Sequence, residues 1–147
     1  MSEEFNPSPE FADLFFLAVD HGFNSIQEGG GPLTPFTMVV RKSGERLLVR
    51  FAADSLEEGV EQAKASIRPS EEIAMYAIAL DGFITLEGRK WDAILVEAGE
   101  SNSKSGVMFC QRYLPAKKGL FRNAPCERVG NPALVGRPQS RLWVEAG

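Results

Sequence analysis

The sequence predicts an α+β fold: a five-stranded antiparallel sheet with two helices on one face, ordered helix, strand, strand, helix, strand, strand, strand, plus an irregular proline-rich C-terminal tail. Three observations carry this. Two segments repeat apolar residues at three- and four-residue steps behind a capping serine. Five segments alternate apolar with polar residues, several joined by loops short enough for hairpins. The last 33 residues hold four prolines (Pro115, Pro125, Pro132 and Pro138), which interrupt any long regular element. With 147 residues, 44% hydrophobic and 24% charged, the chain has the size and composition of one globular domain, residues 1–114 forming the body and 115–147 the tail.

The first helix opens at Ser8-Pro9-Glu10, a capping serine, a proline at the first helical position and an acid at the positive helix end. Phe11, Leu14, Phe15, Ala18, Val19, Gly22 and Ile26 make its apolar stripe, and Gly29-Gly30-Gly31-Pro32 stops it. Phe36–Arg41 and Arg46–Ala52 read as a hairpin with a four-residue loop, Lys42 to Glu45, pairing Val40 with Leu47, Met38 with Val49 and Phe36 with Phe51. Ser55-Leu56-Glu57-Glu58 is a capping box for the second helix, whose stripe is Leu56, Val60, Ala63 and Ile67 and whose end is Arg68-Pro69.

Ile73–Leu86 reads as a long strand bulged at Asp81-Gly82, followed by a four-residue loop, Glu87 to Lys90, and the strand Trp91–Ala98. A polar loop, Gly99–Gly106, leads to the strand Val107–Leu114. The register expected for this last hairpin sets Trp91, Ala93 and Leu95 beside Leu114, Arg112 and Cys110. That face is expected to lie under the helices. The other face carries Ile94, Val96, Phe109 and Tyr113, joined by Phe83, and is too apolar to be left in water. Phe83, Ile94, Val96 and Phe109 are therefore the expected interface, on a face covered by the tail, by a second copy or partner protein, or by a ligand in a groove.

The chemical motifs are sparse. Gly99 to Ser105 resembles a phosphate-binding loop, but its lysine is one position early and a strand follows where that motif needs a helix. His21 is the one histidine, and the two cysteines, Cys110 and Cys126, lack zinc-site spacing. Cys110 is expected to pack as a small hydrophobe and Cys126 to be exposed in the tail. No metal, no cofactor and no catalytic set is expected. Asp92, Glu97, Gln111, Arg112 and Tyr113 are the candidate binding residues, with Glu97 and Arg112 as an ion pair on one face. The tail sets six lysines and arginines against two glutamates, a net +4 that leaves −8 on residues 1–114 of a chain whose total is −4. A basic tail is expected to lie on an acidic body, and scattered arginines with few aromatics argue against nucleic acid as partner. No apolar run approaches the roughly 20 residues of a membrane span, and the acidic start Met1-Ser2-Glu3-Glu4 is unlike an export signal. A cytoplasmic location follows as the expectation.

Asp81 to Thr85, Trp91 to Glu97 and Phe109 to Tyr113 together resemble a family of small bacterial proteins of unknown function. The resemblance implies a bacterial protein and carries no activity or site residues. The element order is similar to that of roadblock and profilin-like domains, which implies an interaction module. The functional expectation is a non-enzymatic module that self-associates or binds another protein. The alternative is a small enzyme or ligand-binding protein with a polar site near the last hairpin.

Overall fold

The computed structural model describes residues 6–27, 31–120 and 122–145; the Met1 to Glu4 start and the expected helix stop at Gly29 and Gly30 lie outside them. The helix α1 spans Pro9–Ile26, capped by Ser8, whose hydroxyl accepts from the Phe11 amide at 3.2 Å. The strands β1 (Phe36–Arg41) and β2 (Arg46–Arg50) precede α2 (Leu56–Ser66), whose Ser55 cap accepts from the Glu58 amide at 3.1 Å. Then come β3 (Ile73–Leu86), β4 (Arg89–Glu100) and β5 (Val107–Leu114), a small pairing of β6 (Lys117–Lys118) with β7 (Asn123–Ala124), and β8 (Glu127–Gly136). The main sheet is antiparallel, open and six-stranded, in the order β2-β1-β3-β4-β5-β8.

The expected strand count is thus short by one, because β8 forms where the prolines predict an irregular tail. Pro132 lies within β8 without breaking it, since β8 is an edge strand and the proline falls in a bulge. The register slips between Cys110↔Ala133 and Arg112↔Val129, and Gly130 takes φ +70° in the slipped stretch. Gln111 fills the gap: its Nε2 donates to the carbonyls of Val129 at 3.3 Å and Gly130 at 3.1 Å. A side-chain amide thereby serves carbonyls that the bulge has taken out of the ladder.

Two helices on one face is the second correction. Odd-numbered Ala77 and Ala79 of β3 pack with Ile94, Val96 and Phe109 under α1, whereas Tyr76 and Ile78 pack with Ala63 of α2, with Ile67 just past its end and with Leu142. Side chains alternate along a strand, so the helices lie on opposite faces. The face expected to need a cover does have one, and it is α1.

Turn chemistry explains two register corrections. The β1–β2 loop has three residues, Lys42 to Gly44, with Gly44 at φ +95° in the position that closes such a loop. Phe36 consequently faces Arg50, Met38 faces Leu48 and Val40 faces Arg46, one residue from the expected register. After β3 the turn has only two residues, Glu87 (φ 52°) and Gly88 (φ 78°), the pair of positive φ values that a tight hairpin with primed-turn geometry demands. β3 and β4 then pair without a break from Met75↔Glu100 to Leu86↔Arg89, so Asp81-Gly82 is not a bulge. Gly82 answers a packing need, since a β-carbon there would lie 2.9 Å from a Leu95 methyl. The last hairpin pairs as expected, with Ala93↔Arg112 and Leu95↔Cys110.

The tail lies on the body through its cations: Arg128 Nη1 stands 2.8 Å from Asp20, and Arg141 bonds Glu97. Cys126 is buried, contrary to expectation. Its amide donates to the Gln27 carbonyl at 2.9 Å and its Sγ lies 3.3 Å from the Ile26 carbonyl, which gives the end of α1 partners from a hundred residues away. No helix among the described residues is long and apolar enough to cross a membrane.

Candidate functional site

The sequence-predicted binding residues do not converge. Asp92 and Tyr113 face each other across β4 and β5 and line a cleft of about 390 Å³ with Asp81, Phe83, Gly31 and Pro32. Gln111 shares their side of the sheet but is wholly buried, its amide spent on β8 and its Oε1 accepting from Arg128 Nε and Nη2 at 3.2 and 3.0 Å. Glu97 and Arg112 belong to the α2 face. The expected Glu97–Arg112 pair does not form; Glu97 is bonded by Arg141, and the Arg112 guanidinium lies 4.9 Å from the Trp91 ring centre.

In the cleft, Tyr113 Oη donates to Asp81 Oδ1 at 2.7 Å and the Leu33 amide donates to Oδ2 at 2.7 Å. Burial, and then the Asp81 carboxylate, push the Tyr113 phenol well above its ordinary range, so it is a neutral donor rather than a base or nucleophile. Asp81 thus ties the segment after α1 to the sheet. Lys90 Nζ sits 4.1 Å from the centre of the Phe83 ring, a cation–π contact with one of its faces made from within the chain. Asp81, the Tyr113 hydroxyl and the Leu33 amide are thus engaged with one another.

The expected interface fares likewise. Ile94 and Val96 are fully buried and Phe109 is 5% exposed, stacked on Phe15 at 4.5 Å between ring centres. These three cannot meet a partner while α1 is in place. Phe83 alone of the four remains exposed, at 60%.

The surface that sequence reasoning missed is β2. All five of its residues are exposed, and it forms one edge of the sheet. Its hydrogen-bond parity is fixed at both ends, where the Arg41 amide donates to the Glu45 carbonyl and the Phe51 amide to the Pro35 carbonyl, each at 2.8 Å. Alternation along an antiparallel ladder then turns the backbone groups of Leu47 and Val49 toward β1. Those of Arg46, Leu48 and Arg50 point outward from the sheet edge. Beside them lies an apolar groove of about 130 Å³, lined by Leu14 and Leu17 of α1 with Met38, Val40, Leu47 and Leu48. One signal was present in the sequence: three consecutive aliphatics, Leu47, Leu48 and Val49, break the alternation of a strand with one wet face.

His21 borders this edge. Its ring meets Phe36 edge-on at 5.0 Å between centres, and Arg50 Nη2 lies 3.2 Å from Nε2, a donor to the neutral ring. Burial, and then the charge of Arg50, hold the imidazole below its ordinary value of 6.5. The unfolded chain therefore takes up the proton first. Stability that is present above about pH 6.5 falls as pH drops through the lower folded value, then levels. Urea unfolding of wild type and His21→Gln from about pH 8 to about pH 5 checks this; the variant loses less stability over that interval.

The chain matches no family model, and no curated protein or solved structure matches it.

Proposed function

We propose that this chain is a protein-interaction module that binds another protein by accepting an extended strand along β2. The observation that carries the reading is the outward backbone of Arg46, Leu48 and Arg50 on an exposed edge strand next to an apolar groove. Such an edge offers main-chain hydrogen bonds for affinity and side-chain pockets at alternate positions for specificity. Strand addition also needs no rearrangement of the core, since neither helix covers β2.

Leu48→Pro tests it. Proline removes an amide hydrogen that β1 does not use, so the fold tolerates it, as sheet edges do when the missing donor faces solvent. A photo-crosslinking side chain at position 47 identifies the partner, and the purified complex is then titrated with wild type and Leu48→Pro. The expected result is a Kd weakened by roughly tenfold or more, the scale of one lost hydrogen bond, with an unchanged unfolding midpoint. A complex indifferent to Leu48→Pro overturns the reading.

A further inference from the structure

On that reading, we infer that the strand received by β2 is an acidic segment of another protein, with carboxylates four residues apart on either side of an aliphatic residue. Arg46, Leu48 and Arg50 lie opposite Val40, Met38 and Phe36, whose side chains pack under α1, so all three project on the α1 side. The two guanidinium-bearing positions are four residues apart, about 13 Å along an extended strand. An antiparallel strand entering this edge sets one residue opposite Arg46, one opposite Leu48 and one opposite Arg50. Opposite charges facing across a ladder stabilise it and like charges destabilise it. The residue opposite Leu48 meets Leu17 and the apolar groove, whose volume of about 130 Å³ suits one aliphatic side chain.

The same geometry discriminates against a second copy of this chain. Pairing β2 with itself about Leu48 sets Arg46 opposite Arg50 twice, so the register that would make the most hydrogen bonds is the one with like charges in contact. Charges on an exposed edge are a known guard against self-pairing. Here they repel a copy and attract an acidic strand. The Arg50 contact to His21 leaves the guanidinium charge in place, because the imidazole is held neutral at ordinary pH.

The test uses the full chain and three fluorescein-labelled ten-residue peptides that share a Val-Leu-Val centre and carry glutamate, glutamine or lysine on both sides of it. Anisotropy titrations are expected to rank glutamate roughly tenfold tighter than glutamine and lysine weakest, with the glutamate advantage shrinking as salt rises. Arg46→Gln combined with Arg50→Gln is expected to abolish that advantage, and Leu48→Pro to weaken every peptide. Equal binding of the glutamate and glutamine peptides, both lost with Leu48→Pro, overturns the acidic partner and leaves strand addition standing. Glutamate-peptide binding that ignores Leu48→Pro, or no peptide binding at all, overturns both. A dimer in sedimentation that Leu48→Pro converts to monomer makes a second copy the occupant and overturns this inference.

Discussion

Arg141→Ala is expected to lower the stability of the fold by about 2–4 kcal/mol, measured by urea unfolding at neutral pH. Glu97 is 5% exposed, on the α2 face of the sheet. Its carboxylate receives Arg141 Nε at 2.6 Å, Arg141 Nη2 at 3.1 Å and the Tyr76 hydroxyl at 2.8 Å. The Tyr76 oxygen in turn accepts from the Arg141 amide at 3.1 Å, which closes the network. Removing the guanidinium leaves a buried carboxylate with one donor, and an uncompensated buried charge costs about 3–5 kcal/mol when water is fully excluded. The Arg141 side chain is 33% exposed, so water replaces part of what is lost and the expected cost falls below the upper end of that range. Arg141→Lys should recover only part, because a single ammonium cannot reproduce the two-pronged contact. A loss under about 0.5 kcal/mol for Arg141→Ala would mean that water satisfies Glu97 and the network contributes little.

Phe15→Ala is expected to cost about 3–5 kcal/mol, the range for deleting a large aromatic from a packed core. Phe15 is fully buried, with its ring stacked on Phe109 at 4.5 Å and edge-on to Phe11 at 5.2 Å between centres. It is one of the contacts through which α1 closes over β5, beside Phe16 at 5.4 Å from the Phe109 ring centre, so the change removes both a side chain's burial and an aromatic pair. Phe15→Leu should cost well under half as much, since an aliphatic side chain fills most of the space. The measurement is again equilibrium unfolding, with near-UV circular dichroism to follow aromatic packing. A cost below about 1 kcal/mol would contradict α1 as the cover of this face.

Much of the architecture was legible because it is written in local chemistry. Ser8 and Ser55 marked both helix starts, and the alternation of Ala93, Leu95, Cys110 and Arg112 gave the β4–β5 register. What local chemistry could not supply was the side of the sheet each helix takes. Both faces of β4 and β5 are apolar, one with Ile94, Val96 and Phe109 and the other with Ala93, Leu95 and Cys110, so composition assigns neither face to a helix. Loop lengths failed for a related reason: whether Gly44 and Gly88 end three- and two-residue turns depends on their left-handed φ, which glycine permits but does not announce. Pro132 misled because a proline forbids a central strand and not an edge strand.

The candidate site was less legible still. Asp92 and Tyr113 were placed together, because they pair within one hairpin. The partner of Glu97 lies 44 residues away in the tail, and no spacing rule reaches it. The exposure of β2 follows from strand order, a property of the assembled sheet, and a pattern of residues along one strand does not contain it.

The joining of Cys126 to the end of α1 bears on how the chain reaches this state. During synthesis α1 waits about a hundred residues for the amide and thiol that meet the carbonyls at its end, and Asp20 waits longer for Arg128. Ordering so many closures across long separations slows assembly relative to a fold built from neighbours. Until Cys126 and Arg128 have been made, the carbonyls at the end of α1 and the Asp20 carboxylate lack these partners.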